Sequence, residues 1–548
     1  MSWLDAYAAR SCPLKTYRNN LPQATLTASS YTPLAGAQEF VAETLARLAA
    51  HSPATLDLRG TAFDQATESD TLTALRAGTP LVLGGVLPRL SHRVGRVPAL
   101  VAADGGYRPV IVKYQRVAEA HQPPTGETPV EGPYLYSTLQ LPAQPLAAEG
   151  FRFRWRQRPL LPVQLAHYWR MLEDCGAQAG GRPLAGVVGI DELLGPDPVV
   201  NWLPLDAPTL IDSATDRPAS PLAVYDQEFA NRLELAHLAA EGQPSGLRPV
   251  ITRECQHCAW RPQCLAELPP DDLSARLEKT PLDRQEIGVL RQSGVATVAD
   301  LAAVDIDAFL PGYLPRVAGR AGTEQRLRTA WRRSKLIAAG IELEALGDGP
   351  PDVPRAELEI DIDLETSLGD RVYLWGFLVN EGGRSAYHPF ASFEHLDDDA
   401  EAELARQALS WLRDLVEGRQ ALLYHYSEYE VTRIKRLAKR TQDPVIDWGR
   451  ELARDRFVDL FQLVRQHYFG AHGLGLKAVA VHGAGFHWRD DDPGGLNSMA
   501  WFEEAVAGPS QRIRDDAKRR ILEYNEDDTR ATLAVRRWLA GQAPPRPA

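Results

Sequence analysis

The sequence predicts an α/β multidomain protein, and three observations carry that expectation. At 548 residues the chain exceeds what one hydrophobic core sustains, so about three domains are expected. Runs with the period of strands alternate with runs with the period of helices in both halves of the chain. Between the halves, Gly347 to Pro354 reads G-D-G-P-P-D-V-P, which suits neither a helix nor a strand interior and marks a linker.

Composition narrows the class. With 44% hydrophobic and 24% charged residues the chain is of ordinary globular make-up. No run reaches the roughly 18 apolar residues of a membrane helix, and the opening M-S-W-L-D-A-Y-A-A-R lacks a basic-then-apolar signal, so no membrane partner and a cytoplasmic location are expected. The formal net charge of -12 argues against blanket coating of nucleic acid, yet leaves room for a site that is acidic inside and basic along a substrate track. Disulfides are not expected from the 5 cysteines of such a chain, so their spacing matters more than their number.

Taken in order, the first domain opens with Cys12 near a helix end, followed by a helical pattern from Gly36 to Ala50. Three strand-like runs follow, Pro80 to Leu87, Pro98 to Ala103 and Pro109 to Tyr114, the last two joined by Asp104-Gly105-Gly106, a hairpin signal. An amphipathic helix from Val163 to Cys175 carries Gln164 and Tyr168 one turn apart. After a second helix, Glu228 to Ala240, comes Cys255-Gln-His-Cys258-Ala-Trp-Arg-Pro-Gln-Cys264, a C-x2-C-x5-C cluster with metal-site spacing.

This order resembles the RecB-like nucleases, whose restriction-endonuclease-type α/β core joins a helix, a three-stranded meander and a helix bearing Gln-x-x-x-Tyr. In the iron-sulfur branch of that family, one N-terminal cysteine joins three in C-x2-C-x5-C, a pattern matched by Cys12, Cys255, Cys258 and Cys264. The resemblance implies a 4Fe-4S cluster pinning the two ends of the domain together. Zn2+ is the alternative, since four thiolates also suit it. Such a nuclease needs an Asp in the second strand and a D/E-x-K in the third; here Ala99 and Ile111 occupy the acidic places and Lys113 alone survives. Residues 1–267 are therefore expected to be a RecB-like domain without its chemistry, in which Gln164 and Tyr168 either touch a DNA backbone or pack the helix.

Residues 268–346 read as helical. Ile287 to Val304, with a turn at Gly294-Val295-Ala296-Thr297, is similar to a helix-hairpin-helix, whose turn offers backbone N–H groups to a phosphate. A basic run containing Arg326, Arg332 and Arg333 follows, and backbone contact with nucleic acid is expected of it; a solvated helical linker is the alternative. Residues 347–355 form the linker.

The last domain, 356–548, opens on Leu358 to Thr366, L-E-I-D-I-D-L-E-T, an alternation that makes a strand with one apolar and one acidic face. Four like charges on one face need solvent, partners or a cation. Strands at Arg371 to Val379 and Ser385 to Phe390, a helix at Asp398 to Glu417, a strand at Ala421 to Tyr426, a helix at Glu428 to Lys439 and a final helix at Ser510 to Leu539 complete it.

That order is similar to the ribonuclease-H-like fold, and the motifs resemble the DnaQ-like (DEDDy) exonucleases. Asp363 and Glu365 match their Asp-x-Glu, Glu430 stands where an Asp is usual, with Glu428 nearby, and Tyr524-Asn-Glu-Asp-Asp528 fits Tyr-x-x-x-Asp. The resemblance implies two Mg2+ or Mn2+ ions on Asp363, Glu365, Glu430 and Asp528, with Tyr524 orienting a water, and a 3′-to-5′ direction. Asp527 is expected to point elsewhere, and Glu359 and Asp361 to be solvated or paired. Asp459 and Lys477 either support the site or serve the fold, and His467, His472, His482 and His487 lack a metal spacing. Taken together, the sequence implies a metal-dependent exonuclease on DNA with a helicase or repair protein as partner. The alternatives are an RNA exonuclease and a catalytically dead binding or scaffold protein.

Overall fold

Strands and helices of two separate sets appear in a computed structural model, which describes residues 2–22, 35–52, 54–121, 129–155, 157–191, 195, 197–212, 215–277, 282–347, 349–491 and 494–541. The chain divides into a first unit (Met1–Arg276, Leu282–Ala296, Asp305–Leu327) and a second (Leu277–Pro281, Thr297–Val304, Arg328–Ala548).

In the first unit, helices α1 (Pro13–Asn19) and α2 (Ala35–Ala50) precede a sheet of β1 (Thr55–Asp57), β2 (Leu81–Leu90), β3 (Arg93–Ala103), β4 (Gly106–Val112), β5 (Tyr134–Thr138), β6 (Leu146–Ala148), β7 (Leu184–Val188) and β8 (Val199–Pro204). Their spatial order is β1-β2-β3-β4-β7-β8-β5-β6. The β2-β3-β4 meander is antiparallel, and β4 pairs with β7 in parallel. Asp104 and Gly105 turn the β3-β4 hairpin with φ of 48° and 75°, the two positive values that the tight turn needs. Ala99 and Val110 pack with α2, while Ile111 packs with α3 (Leu160–Asp174) on the other face. Helix α4 (Pro221–Ala240) starts on a Ser220 cap, its hydroxyl accepting from the Ala223 N–H, with Pro221 at the first helical position.

Helix α5 (Arg284–Gln292) begins in an Asp283 and Glu286 capping box of the first unit. Gly294 follows it with φ of 82°, and α6 (Val298–Ala303) belongs to the second unit.

The second unit is built on β9 (Leu358–Thr366), β10 (Val372–Glu381), β11 (Arg384–Ala391), β12 (Ala421–His425) and β13 (Phe457–Asp459), ordered β11-β10-β9-β12-β13. Central β9 runs antiparallel to β10 and parallel to β12. Its apolar residues Leu358, Ile360, Ile362 and Leu364 pack with Leu409 and Leu412 of α7 (Asp398–Val416) and with Ile434 and Leu437 of α8 (Tyr429–Thr441). After α9 (Gly495–Ala507), α10 (Gln511–Leu539) lies against the acidic face of β9. That face is therefore covered by a helix rather than by water. Among the described residues no helix is long and apolar enough to cross a membrane.

Candidate metal centre

Period-two alternation puts Glu359, Asp361, Asp363 and Glu365 on the side of β9 that α10 covers, and α10 answers them in two different ways. Arg536, itself buried, donates from Nη2 to Asp361 Oδ2 at 3.1 Å and from Nη1 to Glu359, and its guanidinium lies 4.1 Å over the Tyr424 ring. Asn380 adds a bond to Asp361 Oδ2 at 2.8 Å. Glu359 and Asp361 are thus paired with a cation inside the fold, not solvated.

Asp363 and Glu365 meet a third carboxylate. Oxygens of Asp363, Glu365 and Asp528 lie within 4.8 Å of one another. Uncharged donors hold them: Asn525 Nδ2 bonds Asp363 Oδ2 at 2.6 Å, Ser498 Oγ bonds Glu365 Oε2 at 2.8 Å, and Trp488 Nε1 bonds Asp528 Oδ1 at 2.7 Å, where the Tyr524 hydroxyl is a second donor. Tyr387 and Tyr373 orient two of these donors, at 2.6 Å to Asn525 Oδ1 and 2.8 Å to Ser498 Oγ. Gly376, opposite Asp363 on β10, makes room for Asn525, since a Cβ there would sit 1.8 Å from its Oδ1.

The electrostatics follow from burial and repulsion. Burial first, then the charges of Asp528, Glu365 and Glu430, raise Asp363 well above the usual carboxylate range. Burial and Asp528 push Glu365 up to about 8. Asp528 is pushed up to about 6 by burial, with Trp488 and Lys477 acting in the opposite sense. Near neutral pH this cluster keeps protons or takes a cation.

Tyr524, one turn before Asp528 on α10, is kept protonated by burial and by the charges of Asp528, Glu365 and Asp363. Lys477 Nζ reaches its hydroxyl at 3.5 Å. Glu430 is buried and raised by burial, but it does not join the group of three. Its Oε2 lies 3.5 Å from His425 Nδ1, whose interaction opposes the rise. Between them Ser427 holds φ of 81°, a left-handed conformation rare for a non-glycine residue.

The other expected residues fall into place as follows. Asp527 turns to Arg489, accepting from its Nε at 2.8 Å, and Asp459 caps the next helix by accepting from Phe461 N at 2.9 Å. Neither reaches the three carboxylates. His467 Nδ1 bonds Leu463 O, while His472 and His482 lie near Glu342. Asn525, Ser498, Trp488 and Arg536 carry no motif and were not singled out by sequence. Arg536 had a signal, standing eight residues after Asp528 on the same helical face.

In the first unit, Ala99 and Ile111 are fully buried in apolar clusters. Gln164 and Tyr168 are buried too, 2% and 4% exposed, with Gln164 Oε1 accepting from Arg10 Nη1 at 2.8 Å. They pack the helix and present no open surface to DNA. Helix α1 meets the cysteine segment: Trp260 Nε1 bonds Asn19 Oδ1 at 2.7 Å, Arg18 bonds Glu267 at 2.7 Å, and the Cys12 N–H bonds Glu254 at 3.0 Å. Cys12, Cys255 and Cys258 are near enough for their charges to raise Cys264, which burial pushes up to about 11. No three of these sulfurs lie within 4.8 Å of one another.

Thr297 spends its N–H and hydroxyl in a capping box with Asp300, at 2.9 and 3.0 Å. Arg326 is paired with Glu286 at 2.9 Å; Arg332 is paired with Glu344 at 2.6 Å and lies 4.4 Å from the Phe469 ring centre; Arg333 is half-buried.

Comparison with known proteins adds one match. Residues 360–540 fit the family model of the RNase_H superfamily, a span that contains Asp363, Glu365, Glu430, Tyr524 and Asp528. No curated protein and no solved structure matches the chain.

Proposed function

From the RNase_H superfamily character of residues 360–540, we propose that the chain is a metal-dependent phosphodiester hydrolase, a 3′-to-5′ exonuclease on DNA. The observation that carries this reading is the meeting of Asp363, Glu365 and Asp528, whose oxygens lie within 4.8 Å of one another beneath α10. Their oxygens are the hard donors that Mg2+ and Mn2+ take, and octahedral ligation at about 2.1 Å places opposite oxygens about 4 Å apart, inside the 4.8 Å that bounds the group. Divalent ions bound there supply Lewis-acid stabilisation of an in-line phosphodiester cleavage and a nucleophile near neutral pH. Asn525, Ser498 and Trp488 fix the three carboxylates, which preserves their geometry when the ions are absent. Tyr524, uncharged and one turn from Asp528, donates to the attacking oxygen or the scissile phosphate.

Mn2+-dependent release of nucleotides from 3′-labelled and 5′-labelled strands of DNA and RNA tests the reading. Release from the 3′ end of DNA is expected, and Asp363→Ala abolishes it. Undetectable hydrolysis of every strand would favour the second reading, a silent nucleic-acid binder. That reading is supported by Glu430, which faces His425 instead of completing the ligand set.

The first unit, by its meander, its helix bearing Gln164 and Tyr168 and its cysteines, supports a degenerate RecB-like domain that holds a 4Fe-4S cluster. Four thiolates also suit zinc, which is the alternative occupant. Iron and sulfide in anaerobically purified protein support the cluster; stoichiometric zinc overturns it.

A further inference from the structure

Toward the β6 edge of the first unit's sheet, β5 pairs with β8 so that Leu135 lies opposite Trp202. The short strand Phe151–Phe153, paired with Ala118–Ala120, lies against β5. These segments wall a cavity of about 530 Å3, whose lining includes Tyr134, Phe151, Phe153, Trp155 and Trp202. That size lies within the roughly 300–1,000 Å3 of small-molecule sites. Tyr134 meets Phe151 with ring centres 5.9 Å apart, and Phe153 meets Trp155 edge-on at 4.8 Å.

The polar atoms of these rings are engaged within the protein. Trp202 Nε1 donates to Ser137 Oγ at 2.8 Å, the Tyr134 hydroxyl donates to Asn201 Oδ1, and Trp155 Nε1 donates to Glu131 Oε1 at 3.3 Å. What they present to the cavity is therefore ring surface. Glu131 lines the same space, and Arg182 Nη1 fixes its backbone by donating to its carbonyl at 3.0 Å. An ionised carboxylate has about four acceptor positions, so the indole leaves Glu131 able to accept further N–H groups. Ring walls with an acceptor-only group at one point suit a flat ligand that carries N–H donors along its edge.

We propose that this cavity takes an unstacked nucleobase of a single strand, packed against the rings and bonded at its edge by Glu131. Aromatic side chains take bases that have left the stack in this way. Guanine fits best, because its Watson–Crick edge sets two neighbouring N–H donors against one carboxylate. Thymine fits worst, since its single ring N–H stands between two carbonyl oxygens that the carboxylate repels. Rings and a carboxylate also hold a quaternary ammonium. The choice of a base rests on the nucleic-acid reading drawn from residues 360–540, and on a volume larger than a methylated ammonium fills, but not on hydrolysis.

The test is fluorescence anisotropy of labelled strands with the full-length chain carrying Asp363→Asn, which spares the strand. A thymidylate strand with one central dG is expected to bind about tenfold more tightly than the all-thymidylate strand, the worth of a bidentate contact to a base edge. Glu131→Gln keeps an acceptor for the Trp155 indole and should bring the two strands within about twofold. Phe151→Leu keeps apolar volume without a π face and should weaken the dG strand about tenfold, and Phe151→Trp should restore it. Glu131→Gln keeps the test decisive even if Phe151→Leu fails to fold. Equal affinity of the parent for both strands, or a dG preference that survives Glu131→Gln, overturns the proposal. So does a trimethyllysine peptide that binds the parent and not Glu131→Gln, which identifies a cation cage instead. Loss of the dG preference while the wild-type chain still hydrolyses strands sinks only this inference; a preserved preference in a chain that hydrolyses nothing sinks only the hydrolase reading.

Discussion

Two acids on one strand face are bonded by Arg536 and two meet a third carboxylate, and substitution separates these cases. Arg536→Met leaves Glu359 and Asp361 buried without their cation, and a loss of about 3–5 kcal/mol is expected in urea unfolding of the full chain. Asp363→Asn has the opposite effect on stability. It removes one member of a repelling group, so the metal-free chain should melt higher than the wild type, while the rise in melting temperature on adding Mn2+ disappears. A destabilised Asp363→Asn would show that the carboxylates are not strained against one another. Sequence made Asp363, Glu365 and Asp528 legible because their spacings, two along a strand and four from Tyr524 along a helix, place them on defined faces. It did not show the donors that fix them. Asn525 is reached by adjacency to Tyr524, but Ser498 and Trp488 come from segments whose patterns carry no motif, and only tertiary packing brings them in.

At the level of elements, β9 and α10 were readable from period alone, with α10 observed over Gln511–Leu539 against an expected Ser510 to Leu539. What alternation could not reveal is that the acidic face would be roofed, since a strand with one polar face reads the same beneath solvent or beneath a polar helix. Helix α9, which supplies Ser498, went unread between a loop and the final helix. The close fit of β10 to α10 depends on Gly376. Gly376→Ala drives a methyl group into Asn525 Oδ1, and about 1–3 kcal/mol of destabilisation is expected together with a fall in nuclease rate. Asn525→Ala in the same chain should recover stability without recovering rate, because Asp363 still lacks its donor. In the first unit, the β2-β3-β4 meander and its turn followed from apolar runs and an Asp-Gly-Gly. Of the β5 to β8 strands only one strand-like run was legible, because they are short and because the pairings of β7 with β4 and of β8 with β5 join segments far apart in sequence.

For the whole molecule, the carboxylate group links stability to pH and to divalent ions. An acid whose folded pKa lies above its unfolded value stabilises the fold while protonated, and that contribution is lost as pH rises through the folded value. With Asp528 pushed up to about 6 and Glu365 to about 8, the chelator-treated chain should lose stability as pH rises from the ordinary carboxylate range, through about 6 for Asp528 and up to about 8 for Glu365. Mn2+ binds the deprotonated oxygens and should therefore raise the melting temperature more at pH 8 than at pH 6, by calorimetry; an equal shift at both would contradict the linkage. A final consequence belongs to α10. Asp363 and Asn525 are separated by 162 residues, and Asp361 and Arg536 by 175, so the strand's acidic face is covered by the far end of the chain. Until α10 docks, β9 is a row of uncompensated negative charge at the centre of the sheet. Docking then joins a strong electrostatic latch at the Arg536 end to a repulsive gap at the Asp528 end. The helix that completes the carboxylate group therefore also carries the cation that neutralises the other half of the same strand face.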